Sequence, residues 1–160
     1  MNITKEMLTD MGLLSQFSYK EYGIYPILKN NTIHEFTDGG ITYTLNSSYT
    51  VLDYIDTPIT DMQALLLQKT GADEYVIAFR GTQETMDMVV DAIIGINNFN
   101  PQFSEARDFV QDMMVSHNIS AEHLTLTGHS LGGSRKPEDR SRNTEGFPGR
   151  RLECFCPAEN

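Results

Sequence analysis

The chain has 160 residues, is 39% hydrophobic and 21% charged, and carries a formal net charge of −10, which amounts to one domain with material for its own core. A chain of this size buries roughly 70% of its unfolded surface, so it requires neither a disulfide framework nor a structural metal, and Cys154 and Cys156 stand too close together to supply either. Its acidity argues against a nucleic-acid partner; no apolar run reaches the roughly 18 residues of a transmembrane segment, and residues 1–20 lack the basic start and apolar stretch of a cleaved leader.

Chain order gives alternating elements. Thr4 is placed to cap a helix whose apolar positions Met7, Leu8, Met11, Leu14 and Phe17 recur at three- and four-residue spacing. A polar, Asn-rich stretch follows. Ile41 to Leu45 alternates as a strand after the Gly39-Gly40 turn, and Val51 to Ile55 extends it or pairs with it. Ala64 to Leu67 and Tyr75 to Phe79 are apolar runs separated by Gly71-Ala72-Asp73, which predicts adjacent central strands joined by a short turn. From Pro101 the spacing lengthens: Phe103, Ala106, Val110, Met113, Met114 and His117 share a helical face, with Asn100 as cap and Pro101 at the first helical position. Leu124 to Thr127 then reads as a short strand. Strand, helix and strand at this spacing predict an α/β layer with a mostly parallel sheet.

Gly128-His129-Ser130-Leu131-Gly132 follows that strand directly. Such a G-x-S-x-G pattern suits a sharp strand-to-helix turn, because small residues on either side let the backbone pass closely while the serine hydroxyl stays exposed. A loop in which Ser130 only caps the next element is the alternative. His129, inside the turn, reads as structural. His34, His117 and His123 all precede the serine on loop or helix positions and read as non-catalytic.

Two blocks in order, Ala78-Phe79-Arg80-Gly81-Thr82 and Thr127-Gly128-His129-Ser130-Leu131-Gly132-Gly133, resemble the class 3 lipase family of the α/β hydrolases, which includes triacylglycerol lipases and phospholipases A1. The likeness covers residues 1–133. It implies a carboxylic ester hydrolase of lipid metabolism, acting on lipid or other carboxylic esters at a lipid–water interface without cofactor or metal. Ser130 would be the nucleophile that forms an acyl-enzyme. The backbone N–H groups of Thr82 and Leu131 would form the oxyanion hole, with the Thr82 hydroxyl as a further donor. Arg80 would be structural, the alternative being a solvated residue at a strand end. Residues 85–99 occupy the position of a lid, and Met86, Val89, Val90, Ile93 and Ile94 are its candidate substrate contacts; an ordinary packed helix or strand is the competing account.

The end of the sequence departs from that pattern. Such hydrolases supply their acid and histidine after the nucleophile, yet residues 131–160 contain no histidine and Asp139 as the one aspartate. Residues 134–146 contain no large apolar residue where a helix should cover the sheet, and Pro137 falls in its first turns. Residues 1–133 hold six Lys and Arg against 17 Asp and Glu, whereas residues 134–160 hold six against five. The expected fold is therefore an incomplete α/β-hydrolase-like sheet ending just after the nucleophile elbow, with one side of its central strands uncovered. Residues 134–160 would form a polar, disordered tail foreign to the family, from a frame change, truncation or junction, or else a native linker.

This chain is accordingly expected to be weakly active or inactive alone. A noncatalytic binding module is the alternative, as is one half of a hydrolase completed by a complementing chain. Asp53, Asp56 and Asp61 read as a solvated turn and not as a calcium site. Gly39-Gly40 is no nucleotide-binding pattern, and no phosphate-loop lysine accompanies a glycine-rich segment. The missing leader favours the cytoplasm, with signal-free secretion as the other route.

Overall fold

The computed structural model describes residues 4–19, 23–59, 62–80, 101–129 and 153–155. Helix α1 (Lys5–Phe17) starts where the sequence predicts: Thr4 Oγ1 accepts the Met7 backbone N–H at 3.2 Å, satisfying one of the unpaired amides of the first turn. Met11, Leu14 and Phe17 are buried on one face. A short helix α2 (Tyr25–Leu28), with Pro26 in its first turn, opens the stretch that reads only as polar in the sequence.

Strands β1 (Thr32–Asp38), β2 (Ile41–Thr57), β3 (Met62–Lys69), β4 (Tyr75–Phe79), β5 (Leu124–His129) and β6 (Glu153–Phe155) form one sheet in the order β1-β2-β3-β4-β5-β6. The two segments expected around residues 41–45 and 51–55 are one continuous strand, bulged between Val51 and Asp53. Helix α3 (Pro101–Ser116) carries the chain from β4 to β5.

The sheet is not mostly parallel. Among the described residues, β1 to β4 pair antiparallel, and β4–β5 and β5–β6 pair parallel. The reason lies in the length of the links. Gly39 and Gly40 both take positive φ, 55° and 80°, the conformation of a two-residue type I′ hairpin. Gly71, at φ 76°, turns the chain between β3 and β4. Links this short can only return a strand antiparallel, whereas the parallel β4–β5 pair needs a crossover, which α3 supplies.

Alternation along β3 divides the core between two faces. Leu65 and Leu67 pack with Met11, Leu14 and Phe17 of α1. Ala64 and Leu66 pack with Ala106, Phe109 and Val110 of α3. Leu65, Leu66 and Leu67 are all fully buried, each contributing about 1.5–3 kcal/mol. The expected uncovered face is thus absent from β3 and β4, which are buried on both sides, as their unbroken apolar runs require.

Asn118, two residues after the last of α3, takes a φ of 52°. Ile119 N–H returns to the Met114 carbonyl at 2.8 Å and Asn118 N–H to that of Val115 at 3.3 Å, closing the helix in a Schellman arrangement. Ile119 is then buried against the α3 face of the sheet and the chain turns into β5. Of the tail, Glu153–Phe155 forms β6 against Thr127, Gly128 and His129; its other residues lie outside the described set.

Candidate active site

Strands β4 and β5 run parallel, so their carboxyl ends open on the same edge of the sheet. Phe79 stands directly opposite Gly128 in the ladder. The two sequence blocks therefore arrive side by side, one strand spacing apart, which is about 4.8 Å. Arg80 leaves β4 there, and Ser130 is the residue after the last of β5. In open α/β sheets the crevice outside the strands' carboxyl ends is the usual ligand position.

Two described interactions tie α1 to the sheet. Thr127 Oγ1, fully buried, donates to the Met11 carbonyl at 3.1 Å and ties β5 to α1. Asp10, also buried, takes four hydrogen bonds: Asn46 N–H at 2.7 Å and Asn46 Nδ2 at 3.0 Å on Oδ1, Ser47 N–H at 3.0 Å and the Tyr49 hydroxyl at 3.1 Å on Oδ2. That carboxylate clamps α1 to β2. Burial, with the neighbouring Asp10 charge adding to it, pushes the Tyr49 phenol above its ordinary value.

Arg80 is half-buried and not a freely solvated strand end. Its backbone N–H donates to the Gln63 carbonyl at 2.9 Å, and its guanidinium Nη1 donates to Gln63 Oε1. The guanidinium also lies 5.9 Å from the centre of the Tyr19 ring, within cation–π range. Gln63, fully buried, passes the contact on: its Nε2 donates to Asp56 Oδ1 at 2.8 Å, and Asp56 Oδ2 accepts the Gly23 N–H at 2.7 Å. Tyr25 lies in the same corner and donates its hydroxyl to the Ser18 carbonyl. Burial raises its pKa, Arg80 opposing and Asp56 reinforcing the shift.

Asp53 and Asp56 do not form a solvated turn. Both belong to β2, which keeps pairing with β3 through Thr57. Asp53 meets Lys29 Nζ at 3.0 Å and His117 Nε2 at 3.5 Å. Its burial disfavours the ionised form, but the Lys29 hydrogen bond, the Tyr54 N–H, the Lys29 charge and the His117 bond outweigh that and hold its carboxyl below the ordinary value. Asp61 lies outside the described residues.

The structure places the described histidine side chains away from the carboxyl ends of β4 and β5. His34 is exposed on β1 at the far side of the sheet. His117 follows α3 and pairs with Asp53. His123 precedes β5 at its amino end, 2.6 Å from Asp73. A cavity of about 260 Å³, lined by Met7, Met11, Tyr49, Tyr75 and His123 among others, opens at that same amino end, across the sheet from the two motif blocks. Ser130, Thr82, Leu131, Met86, Val89, Val90, Ile93 and Ile94 lie outside the described residues, as do Asn100 and Asp139.

Sequence reasoning passed over Gln63 and Asp10. Each carried a signal, since Gln63 is the one polar residue in the run Met62 to Leu67 and Asp10 falls beside Met11 on the apolar stripe of α1. A lone polar residue on a buried face must find partners or destabilise the fold.

Residues 41–135 match the phospholipase-like family described as the Tle-like phospholipase domain. That span runs from the start of β2 through the elbow block, and the chain belongs to this family. Among solved structures the chain is similar to the native propeptide complex of Rhizomucor miehei lipase, with 12% identity, a TM-score of 0.36, and coverage of 79% of this chain and 43% of that one. The chain thus spans less than half the length of that lipase. Comparison with curated proteins gives no match. No helix among the described residues is long and apolar enough to cross a membrane.

Proposed function

We propose that this chain carries the nucleophile and oxyanion elements of a serine-dependent lipid ester hydrolase of lipase or phospholipase A1 type, akin to the class 3 lipases. The observation that carries this reading is the register of β4 and β5. Opposing Phe79 and Gly128 makes the segments bearing Thr82 and Ser130 leave neighbouring strands at one edge. A nucleophile and the donors that stabilise its oxyanion must meet within a few ångströms, and such a strand pair is a direct way to bring distant sequence blocks that close.

In this reading Ser130 Oγ attacks the ester carbonyl carbon and gives up its proton to a base. The backbone N–H groups of Leu131 and Thr82 stabilise the resulting oxyanion. Collapse expels the alcohol and leaves an acyl-enzyme, which water hydrolyses. Met86, Val89, Val90, Ile93 and Ile94 contribute an apolar lid for the acyl chain, and the family match supports lipid esters as the substrate class. Residues 131–160 contain no histidine, and His34, His117 and His123 stand elsewhere. Turnover by these residues alone is therefore weak or nil without a complementing base. Residues 1–133 are proposed as the hydrolase part and residues 134–160 as a polar tail foreign to the family pattern, of which Glu153–Phe155 nevertheless joins the sheet beside β5.

A serine-directed phosphonate tests the assignment. The expected result is labelling confined to Ser130, lost in Ser130→Ala, together with loss of any slow ester turnover in that variant. Turnover unchanged in Ser130→Ala refutes the role of the serine. Saturable lipid binding with neither labelling nor turnover supports the noncatalytic module in its place.

A further inference from the structure

We propose that Gln63 and Asp56 are positioning residues that act through Arg80 to hold the carboxyl end of β4 where it delivers the oxyanion donor. The proposal rests on the assignment of Ser130 and Thr82 given above. Asp56 and Gln63 are direct cross-strand partners in the β2–β3 ladder, so their side chains meet on one face. Gln63 is fully buried, and both ends of its amide are used: Nε2 donates to Asp56 and Oε1 accepts from Arg80. The Gln63 backbone carbonyl accepts the Arg80 N–H as well. One residue of β3 therefore grips Arg80 by its main chain and its side chain together. Asp56 orients that amide, and is itself held by the Gly23 N–H.

The relay has a polarity. An amide side chain between a carboxylate and a guanidinium satisfies both only in one orientation, with nitrogen toward the acid and oxygen toward the base. Arg80 lies two residues before Thr82. Fixing it limits how far the next residues can drift from the edge where β5 ends, and oxyanion stabilisation weakens steeply when a donor moves out of hydrogen-bond range.

Two variants of the full 160-residue chain test this, read by hydrogen exchange at the Arg80 amide and by the rate of phosphonate labelling. Gln63→Met keeps the side-chain volume and removes both side-chain hydrogen bonds. It is expected to raise exchange at the Arg80 amide and to slow labelling, each about tenfold, while exchange in α3 stays unchanged. The double variant Gln63→Glu with Asp56→Asn inverts donor and acceptor between the two positions at constant net charge. All three bonds, to Arg80, between positions 56 and 63, and to Gly23, can re-form. It is expected to restore both readouts to within about twofold of the parent chain, whereas Gln63→Glu alone, with two facing carboxylates, is not.

Parent-like exchange and labelling in Gln63→Met overturns the relay, and so does failure of the double variant to recover. If the parent chain is not labelled at all, the assignment of Ser130 fails, and the exchange measurement still decides the relay. Should Gln63→Met not fold, the comparison of Gln63→Glu with the double variant carries the same test.

Discussion

Replacing Asp10 with asparagine exchanges one acceptor oxygen for an amide in a carboxylate that takes four hydrogen bonds. If the new nitrogen occupied the Oδ1 position, both donors of Asn46 would be stranded. In the other orientation the Tyr49 hydroxyl can turn to accept, and only Ser47 N–H loses its acceptor. The second arrangement is therefore favoured. It costs one part-buried backbone hydrogen bond and the charge assistance of the others, about 2–3 kcal/mol in all. Asp10→Ala removes every acceptor and is expected to cost about 4 kcal/mol, against a total stability of about 5–15 kcal/mol for a domain. Urea unfolding followed by far-ultraviolet circular dichroism measures both, with the slope against denaturant unchanged. A cost below about 1 kcal/mol for Asp10→Asn would mean that the clamp between α1 and β2 contributes no more than an average neutral hydrogen bond, and the argument from its four partners would be wrong.

Two further predictions concern stability. Asn118 holds φ 52° at the end of α3, so Asn118→Ala should lower stability by about 1 kcal/mol while Asn118→Gly should not; equal urea midpoints for the two variants would remove the backbone explanation. The Asp53 carboxyl is held below its ordinary value of 3.8, so its contribution is present above that pH and disappears as pH falls through the folded-state value. Because Lys29 and Asp53 remain 41% and 26% exposed, solvent screening keeps that contribution below about 1 kcal/mol. Asp53→Asn should therefore be less stable than the parent chain at pH 7 and converge with it as pH falls below the folded-state value of the Asp53 carboxyl, and a gap that widens on acidification would reverse the assignment.

The sequence by itself determined what is local. The start of α1 at Thr4, the apolar stripe of α3 and the central strands around Leu66 and Ile77 were legible because a helix or strand writes its buried face as a short repeat in its own residues. Strand β5, which leads into the Gly128-to-Gly132 block, was legible for the same reason. Sheet direction was not, because one helical crossover suggested a parallel layer while the hairpins at Gly39-Gly40 and Gly71 made most of the ladder antiparallel. Tertiary structure alone decided which polar residues meet. Asp10 finds its donors 36 to 39 residues away, and Gln63 reaches Arg80 across 17. A buried polar group declares in the sequence only that it needs a partner; its identity is set by strand register and helix docking, which no local pattern contains.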